Sequence, residues 1–337
     1  MKRSVIAVAI LLLLLCACSG NNQEETMEDE MNSIVFATLS SDHEQLHHAL
    51  VLAESLRTFG GKYMDAPIWI YVPEGFAVTD TGILSKLAEL NVEIRTSSVP
   101  EAALMFPYAR KVFAAARAEI EAEGKSAILV WMDDDTIILR QPDEFMLAEG
   151  ISLGWRPVMH KNIGSLYSEP PDEYWSRAYK DLDVPEGVVF PMYTHTDNLE
   201  IRPYFNAGIL VVRPEKGILR KWAANFPILY QDSAMVEICK QDRLKAIFLH
   251  QVALSCEIIK TVSQDEMTRL SDYVNYPMFF KEMFGADHEY DDLNDVVTLR
   301  YDVYFRNPAP DWSEKLNAPD DIIVWLKERL GAETVRK

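Results

Sequence analysis

The sequence predicts an α/β fold, a doubly wound sheet with right-handed crossovers. Three observations predict it. Apolar strand-like runs alternate with helical patterns from Ser33 to Met132. One run, "SAILVWM" (Ser126 to Met132), is apolar without a break, as in a strand covered on both faces. The segments joining the strand candidates carry helices, which parallel neighbours with right-handed crossovers require.

The elements follow in order. "SIVFATL" (Ser33 to Leu39) reads as the first strand, and Ser41 or Asp42 caps a helix through "EQLHHALVLAESLRTFG" that Gly60-Gly61 stops. "PIWIYV" is the second strand, "TGILSKLAELN" a helix, "VEIRTS" the third strand, and "YARKVFAAARAEIEAEGK" an alanine-rich helix ending at Gly124. After Ile151 the rhythm changes. "ISLGWRPV" and "YFNAGILVVRP" read as strands, with Asn206-Ala207-Gly208 as an interruption in the second. Between them lies a long connection rich in Pro and Tyr, of a length that is often functional within a domain. Helical patterns run from Gly217 to Ile258, and "DDIIVWLKERLGA" is a short amphipathic helix.

The start of the chain is not fold. Lys2 and Arg3 precede an apolar run from Val5 to Leu15, which is short for a bilayer span and has the layout of a secretory signal. Leu15-Cys16-Ala17-Cys18 resembles a bacterial lipobox, which implies cleavage before Cys18 and acylation of Cys18; an uncleaved anchor is the alternative. The expected organisation is a lipoprotein signal at 1–17, an acidic tether at 18–32, one domain at 33–310 and a C-terminal amphipathic helix at 311–337. An exported, membrane-anchored lipoprotein is therefore expected. The formal charge of −19 offers no basic stripe against phosphate repulsion, so nucleic acid is not an expected partner. Cys239 and Cys256 remain in the mature chain, either as a disulfide or as two buried thiols.

Chemistry concentrates in "ILVWMDDDTIILRQP". A buried strand ends in Asp133-Asp134-Asp135, and three adjacent carboxylates are tolerable in solvent or where a cation collects them. In open α/β sheets ligands bind beyond the carboxyl ends of strands. Alternation along an extended chain points Asp133 and Asp135 the same way and Asp134 elsewhere. Oxygen ligands alone favour Mg²⁺ or Mn²⁺ over zinc. Asn206 both donates and accepts, which suits a sugar hydroxyl.

"VWMDDDTIILRQPDEF" followed by "YFNAGILVVRP" resembles the GT-A nucleotide-sugar glycosyltransferases, and among them the family 8 type that includes glycogenin. "SIVFATLSSDH", "FPYARKVFAAA", "LHQVALS" and "RLSDYVNY" are similar to further family segments in the same order, so the likeness spans about Ser33 to Pro308. It implies a GT-A αβα sandwich with a mixed, mostly parallel central sheet, and transfer from a nucleotide sugar, UDP-linked, to a saccharide or surface-glycan acceptor. Asp133 and Asp135 would hold a divalent ion on the diphosphate. Asp42, with His43 beside it, and Asp134 would face the nucleotide, and Arg110 or Lys111 the donor sugar or phosphates. Asn206 and Gly208 would line the sugar site, and Gln251 would stand beside the anomeric carbon. "LHQVALS" would begin a helix.

Two residues depart from the family. His250 stands where an aspartate precedes the glutamine, and Arg300 stands where a histidine supplies the third metal ligand. Arginine has donors only, so it cannot ligate; it would sit on the diphosphate and make the Mn²⁺ or Mg²⁺ weakly bound or dispensable. Arg306 and Trp312 echo a later lysine and tryptophan. A membrane-tethered glycan-binding protein with a degenerate transferase site is the second reading.

His43-Glu44-Gln45-Leu46-His47 also spells the H-E-x-x-H zinc signature, which makes zinc hydrolysis a third reading. It lacks a third ligand with a supporting motif. His47 and His48 otherwise read as an exposed helix face. His195 and Asp197 could contact an acceptor, and Trp155, Tyr174, Trp175 and Tyr193 could stack on sugar rings. Export sets one difficulty, since nucleotide sugars are cytoplasmic. A lipid-linked donor, binding without turnover, or an inward-facing domain would each resolve it.

Overall fold

The computed structural model describes residues 33–278, 280, 291–302, 304–306 and 310–330. The expected signal, the tether with Cys18, His288 and the Arg306 side chain lie outside them.

Strands β1 (Ile34–Leu39), β2 (Ile68–Pro73), β3 (Val92–Ser97) and β4 (Ile128–Met132) run parallel in the order β3-β2-β1-β4. Helices α1 (His43–Phe59), α2 (Thr81–Glu89) and α3 (Ala109–Ala122) connect them. Asp42 caps α1 by accepting from the Gln45 N–H at 2.8 Å, and Asp80 caps α2 from Gly82 and Ile83. The next elements are β5 (Thr136–Ile138), β6 (Leu153–Pro157), α4 (Glu173–Asp181), β7 (Met192–Tyr193), β8 (Glu200–Ile201) and β9 (Phe205–Val212). Helices α5 (Ile218–Gln231), α6 (Ser233–Gln241) and α7 (Arg243–Thr261) lead to β10 (Met267–Arg269).

The central sheet reads β10-β6-β9-β4-β1-β2-β3, and only β9 is antiparallel to its neighbours. This is the sandwich that the family resemblance implies. β4 alternates between two cores. Leu129 and Trp131 pack with α3, α5 and α7, while Ile128, Val130 and Met132 pack with Phe36, Leu52 and Leu56. The buried Ala114, Ala115, Ala118 and Ala122 let α3 lie close on the sheet.

β11 (Tyr276–Pro277), β12 (Asp291–Asp292), β13 (Thr298–Arg300), β14 (Leu316–Asn317) and α8 (Asp320–Leu330) complete the described chain. β13 pairs antiparallel with β5, placing Arg300 opposite Thr136, and α8 packs through Trp325 and Leu326 into a third core with Ile137 and Trp312. Among the described residues no helix is long and apolar enough to cross a membrane.

The structure resolves four local readings. The long connection contains α4, whose Tyr174 and Trp175 are buried in the core rather than open to sugars. β9 keeps strand backbone through Asn206-Ala207-Gly208, but its ladder with β6 shifts register there, Trp155 pairing with Leu210 and Pro157 with Phe205, so the expected interruption is an irregularity of the ladder. α7 starts at Arg243, capped by Asp242, so His250 is interior to it. Cys239 and Cys256 lie on α6 and α7 as free, buried thiols.

Candidate active site

The carboxyl ends of β1 and β4 open into a cavity of about 470 Å³ lined by Thr38, Asp42, Arg110, Lys111, Asp133, Asp134, Asp135 and Arg300, among others. A second cavity of about 200 Å³ adjoins it through Tyr108, Lys111, Asp133 and Arg300. Its walls are Val158, Met159, Phe248 and Phe280, with Asn206, Gly208, His250 and Gln251 as polar groups. The larger cavity is charged, and the smaller one is mixed and mostly uncharged.

The backbone explains why the charged side chains meet. The Asp133 N–H donates to the Gly208 carbonyl at 3.0 Å, tying the end of β4 to β9. The Tyr301 N–H donates to the Asp135 carbonyl at 3.1 Å, tying β5 to β13. Arg300 therefore stands over both aspartates. Its Nη1 pairs with Asp133 Oδ2, and its Nε lies 2.5 Å from Asp135 Oδ1. Lys111 Nζ holds the other Asp133 oxygen at 2.5 Å. Asp133 and Asp135 thus converge, across a turn rather than along an extended chain, and Asp134 points away to His48 Nδ1 at 3.4 Å.

Gly208 is needed for space. A Cβ there would stand 2.7 Å from Arg300 Nη1 and 2.9 Å from both Asn206 Oδ1 and Asp133 Oδ2. Asn206 Oδ1 accepts from the Gly208 N–H at 2.7 Å, and Gln251 Oε1 accepts from the Ala207 N–H at 3.0 Å. The Gln251 amide is thereby fixed on β9 with its NH₂ group outside that bond.

The charges respond to burial and to each other. Burial alone would raise the Asp133 carboxyl, and Arg300 and Lys111 more than offset it, so it sits below the usual range. Burial pushes Asp135 up to about 6, with Asp134 and Asp133 adding and Arg300 opposing. Burial, then Lys111, pushes His250 down to about 3, so its imidazole is neutral. At His48 burial is opposed by Asp134, which wins and raises the imidazole above its usual value.

These residues do not fit a divalent cation as they are arranged. Both Asp133 oxygens and one of Asp135 face Arg300 or Lys111, which occupy the space between the carboxylates with positive charge. No group of three or more His, Cys, Asp or Glu that could hold a metal occurs among the described residues. The zinc reading gains nothing either: the His43 ring packs 5.1 Å from Phe76, and the two histidines find no third ligand among the described residues.

Of the residues expected at the site, Asp42, Arg110, Lys111, Asp133, Asp134, Asp135 and Arg300 line the larger cavity. Asn206, Gly208 and Gln251 line the smaller one. His43 lines neither, because it leaves the first turn of α1 on the Phe76 side. Nor do His195 and Asp197. His195 bonds Arg156, and Asp197 accepts from the Lys161 N–H at 3.0 Å. Trp155 is buried, and the Tyr193 hydroxyl donates to Glu200 at 2.9 Å. Trp312 is core, against Phe305. Lys111 is buried rather than exposed at a helix start.

Sequence reasoning missed His48, Tyr108, His160 and Asp302, all at the cavities. For His48 a signal existed. Four residues separate it from Glu44, so both take one face of α1, and that face lines the cavity.

An α/β sandwich with a charged cleft at the strand ends, continuous with a smaller mixed pocket, is the class of protein that binds a ligand beyond the carboxyl ends of its strands. The chain belongs to the Rhodobacterales glycosyltransferase domain family, whose model matches residues 39–261. No curated protein sequence matches it. Among solved structures it is similar to mouse xyloside xylosyltransferase 1, apo form (11% identity, 82% of this chain and 99% of that one, TM-score 0.47). It is also similar to galactosyltransferase LgtC in complex with donor and acceptor sugar analogues (15%, 90% and 95%, 0.46). A third is core-mannan synthase A from Aspergillus fumigatus in its Mn/GDP form (10%, 71% and 72%, 0.44). The expected α/β sandwich with a mixed, mostly parallel central sheet is the observed one, and the protein is a glycosyltransferase by family.

Proposed function

We propose that the protein moves a hexosyl unit from a nucleotide diphosphate sugar, UDP-linked, to a saccharide or surface-glycan acceptor, as a family 8-like transferase. The convergence of Arg300 and Lys111 on Asp133 beside Arg110, at the mouth of both cavities, carries the reading. In it Asp42 and Asp134 face the nucleotide, and Arg110, Lys111 and Arg300 take the diphosphate. Asn206, Gly208 and Gln251 take the sugar. The anomeric C–O bond to the diphosphate breaks, the acceptor oxygen bonds to that carbon, and the departing diphosphate takes the hydroxyl proton. Asp133 is a poor base for it, being held by two cations. Arg300 supports the developing negative charge, the role an ion would otherwise fill.

The second reading, glycan binding without turnover, is favoured by one observation: Arg300 and Lys111 already satisfy the acids. The exported, Cys18-anchored location rests on the leader's sequence, and the lipid-linked donor remains its corollary.

Calorimetric titration with UDP, with and without Mn²⁺, tests the proposal. Binding without added cation, weakened by Arg300→Ala, is the expected result. Binding only with Mn²⁺ would return Asp133 and Asp135 to metal ligation. Glycan binding without nucleotide binding would establish the second reading.

A further inference from the structure

We propose that Tyr108 is the platform on which the donor's sugar ring stacks, dividing the diphosphate part of the cleft from the sugar part; this rests on the nucleotide-sugar reading above. Local physics opposes a tyrosine here on three counts. Its φ is +63°, a left-handed conformation in which a residue with a bulky side chain is strained. It is the N-cap of α3, where Ser, Thr, Asp or Asn would satisfy a helix N–H, and its side chain makes no capping bond. Its side chain is 50% exposed, so burial compensates little. Strained residues of this kind concentrate at ligand sites.

The surroundings say what the ring does instead. Its centre lies 4.9 Å from Lys111 Nζ, the group that holds Asp133, and 5.1 Å from the His250 ring. It is among the few residues lining both cavities. In the donor reading, the bond between diphosphate and sugar lies at that boundary. A half-open aromatic ring offers its face to the C–H face of a pyranose, whose hydroxyl edges then meet Asn206 and Gln251. With His250 neutral, this part of the pocket presents no extra cation that would draw the diphosphate past the ring.

The test uses Tyr108→Gly and Tyr108→Phe in the full chain. UDP, GDP and dTDP, and a hexose conjugate of each, are titrated calorimetrically, with thermal unfolding alongside. Tyr108→Gly is expected to weaken the hexose conjugate about 10-fold and to leave the parent diphosphate within about 2-fold. Relief of the left-handed strain raises the unfolding midpoint by about 2 °C, against the freer unfolded chain. Tyr108→Phe keeps wild-type affinity. Equal losses for conjugate and diphosphate would mean that the ring only props Lys111, and would overturn the proposal. Unchanged affinity for the conjugate, or a lower midpoint in the glycine variant, would overturn it too. A wild-type protein that binds none of the six removes the donor reading itself, and this inference with it.

Discussion

Arg156 and Arg300 are both arginines on strands, both turned toward acids, and they do opposite things. Arg156, on β6, is 1% exposed. Its Nη1 donates to the Leu270 carbonyl at 2.9 Å and to Asp272 at 2.6 Å, and its Nη2 bonds His195. Only one partner is anionic, and that one is largely exposed, so burial pushes the Arg156 pKa down to about 10. Arg300 is half-buried with carboxylates on two sides, and Asp133 and Asp135 more than offset its desolvation, holding its pKa above the usual value. Arg156 lines neither cavity, and Arg300 lines both. A cation that locks strand to loop needs only hydrogen-bond acceptors. A cation paired with two acids at an open cleft is, in the proposed function, the one within reach of a ligand's phosphate.

The largest expected effects break this comparison directly. Arg300→Ala should lower kcat/KM for sugar transfer at least ~100-fold, the scale of losing one preorganised charge contact, with the protein still folded. Arg156→Ala should cost roughly 3 kcal/mol of stability in urea unfolding by leaving buried partners unpaired, while kcat/KM of the folded fraction stays within about 2-fold. If the two variants exchange these outcomes, the assignment of strut and ligand contact is reversed.

A middle-sized effect sharpens the Arg300 side. Asp135 is raised to about 6, above its unfolded value. Its folded form therefore binds the proton more tightly, and the stability it contributes is full below about pH 4 and falls as pH rises through about 6. Asp135→Asn should flatten that fall, a difference on the order of 1–2 kcal/mol between pH 4 and pH 7. A wild-type denaturation profile already flat across this window would remove the basis for it.

These contrasts also show what could be read from sequence. The sheet was legible because β1, β2 and β4 are unbroken apolar runs whose period and connections admit few alternatives. The convergence of Asp133 and Asp135 was expected from alternation, but a turn between β4 and β5, with Arg300 against both carboxylates, produces it. Arg300 was legible only as a departure from a family pattern, since nothing local says that β13 pairs with β5. His43 was placed wrongly because a helix's first turn can face either way from its strand, and Phe76 decides the direction. The Arg156–His195 pair links residues 39 apart through a connection that contains α4, beyond the reach of periodicity. Tyr108 was invisible because its informative property is a φ angle.

The smallest expected effect concerns His48, which faces Asp134 in the larger cavity that Arg300 also lines. Asp42, Glu44, Asp133, Asp134, Asp135 and Asp302 line the larger cavity against Arg110, Lys111 and Arg300, so an entering diphosphate meets an excess of acid. Protonated His48 reduces that excess. Its ring faces Asp134 at 3.4 Å and lies edge-on to Tyr301 at 5.5 Å; Asp135 and Glu44 also raise its pKa. Asp134 is itself raised, because burial outweighs the imidazole there, so the two share a proton to a higher pH than free imidazole keeps one. The contribution of His48 is full below about pH 6.5 and is lost as pH rises through its folded value. Affinity for UDP should then fall about 3-fold from pH 6 to pH 8.5 in wild type, a modest charge effect near a solvent-facing site. His48→Gln, which keeps a hydrogen-bonding group without the charge, should lose most of that slope and keep only the part from Asp135, which ionises at about 6 in the same cavity. A variant that retains the wild-type slope would assign the titration to Asp135 instead, and with it the ligand-facing charge to the Arg300 cluster alone.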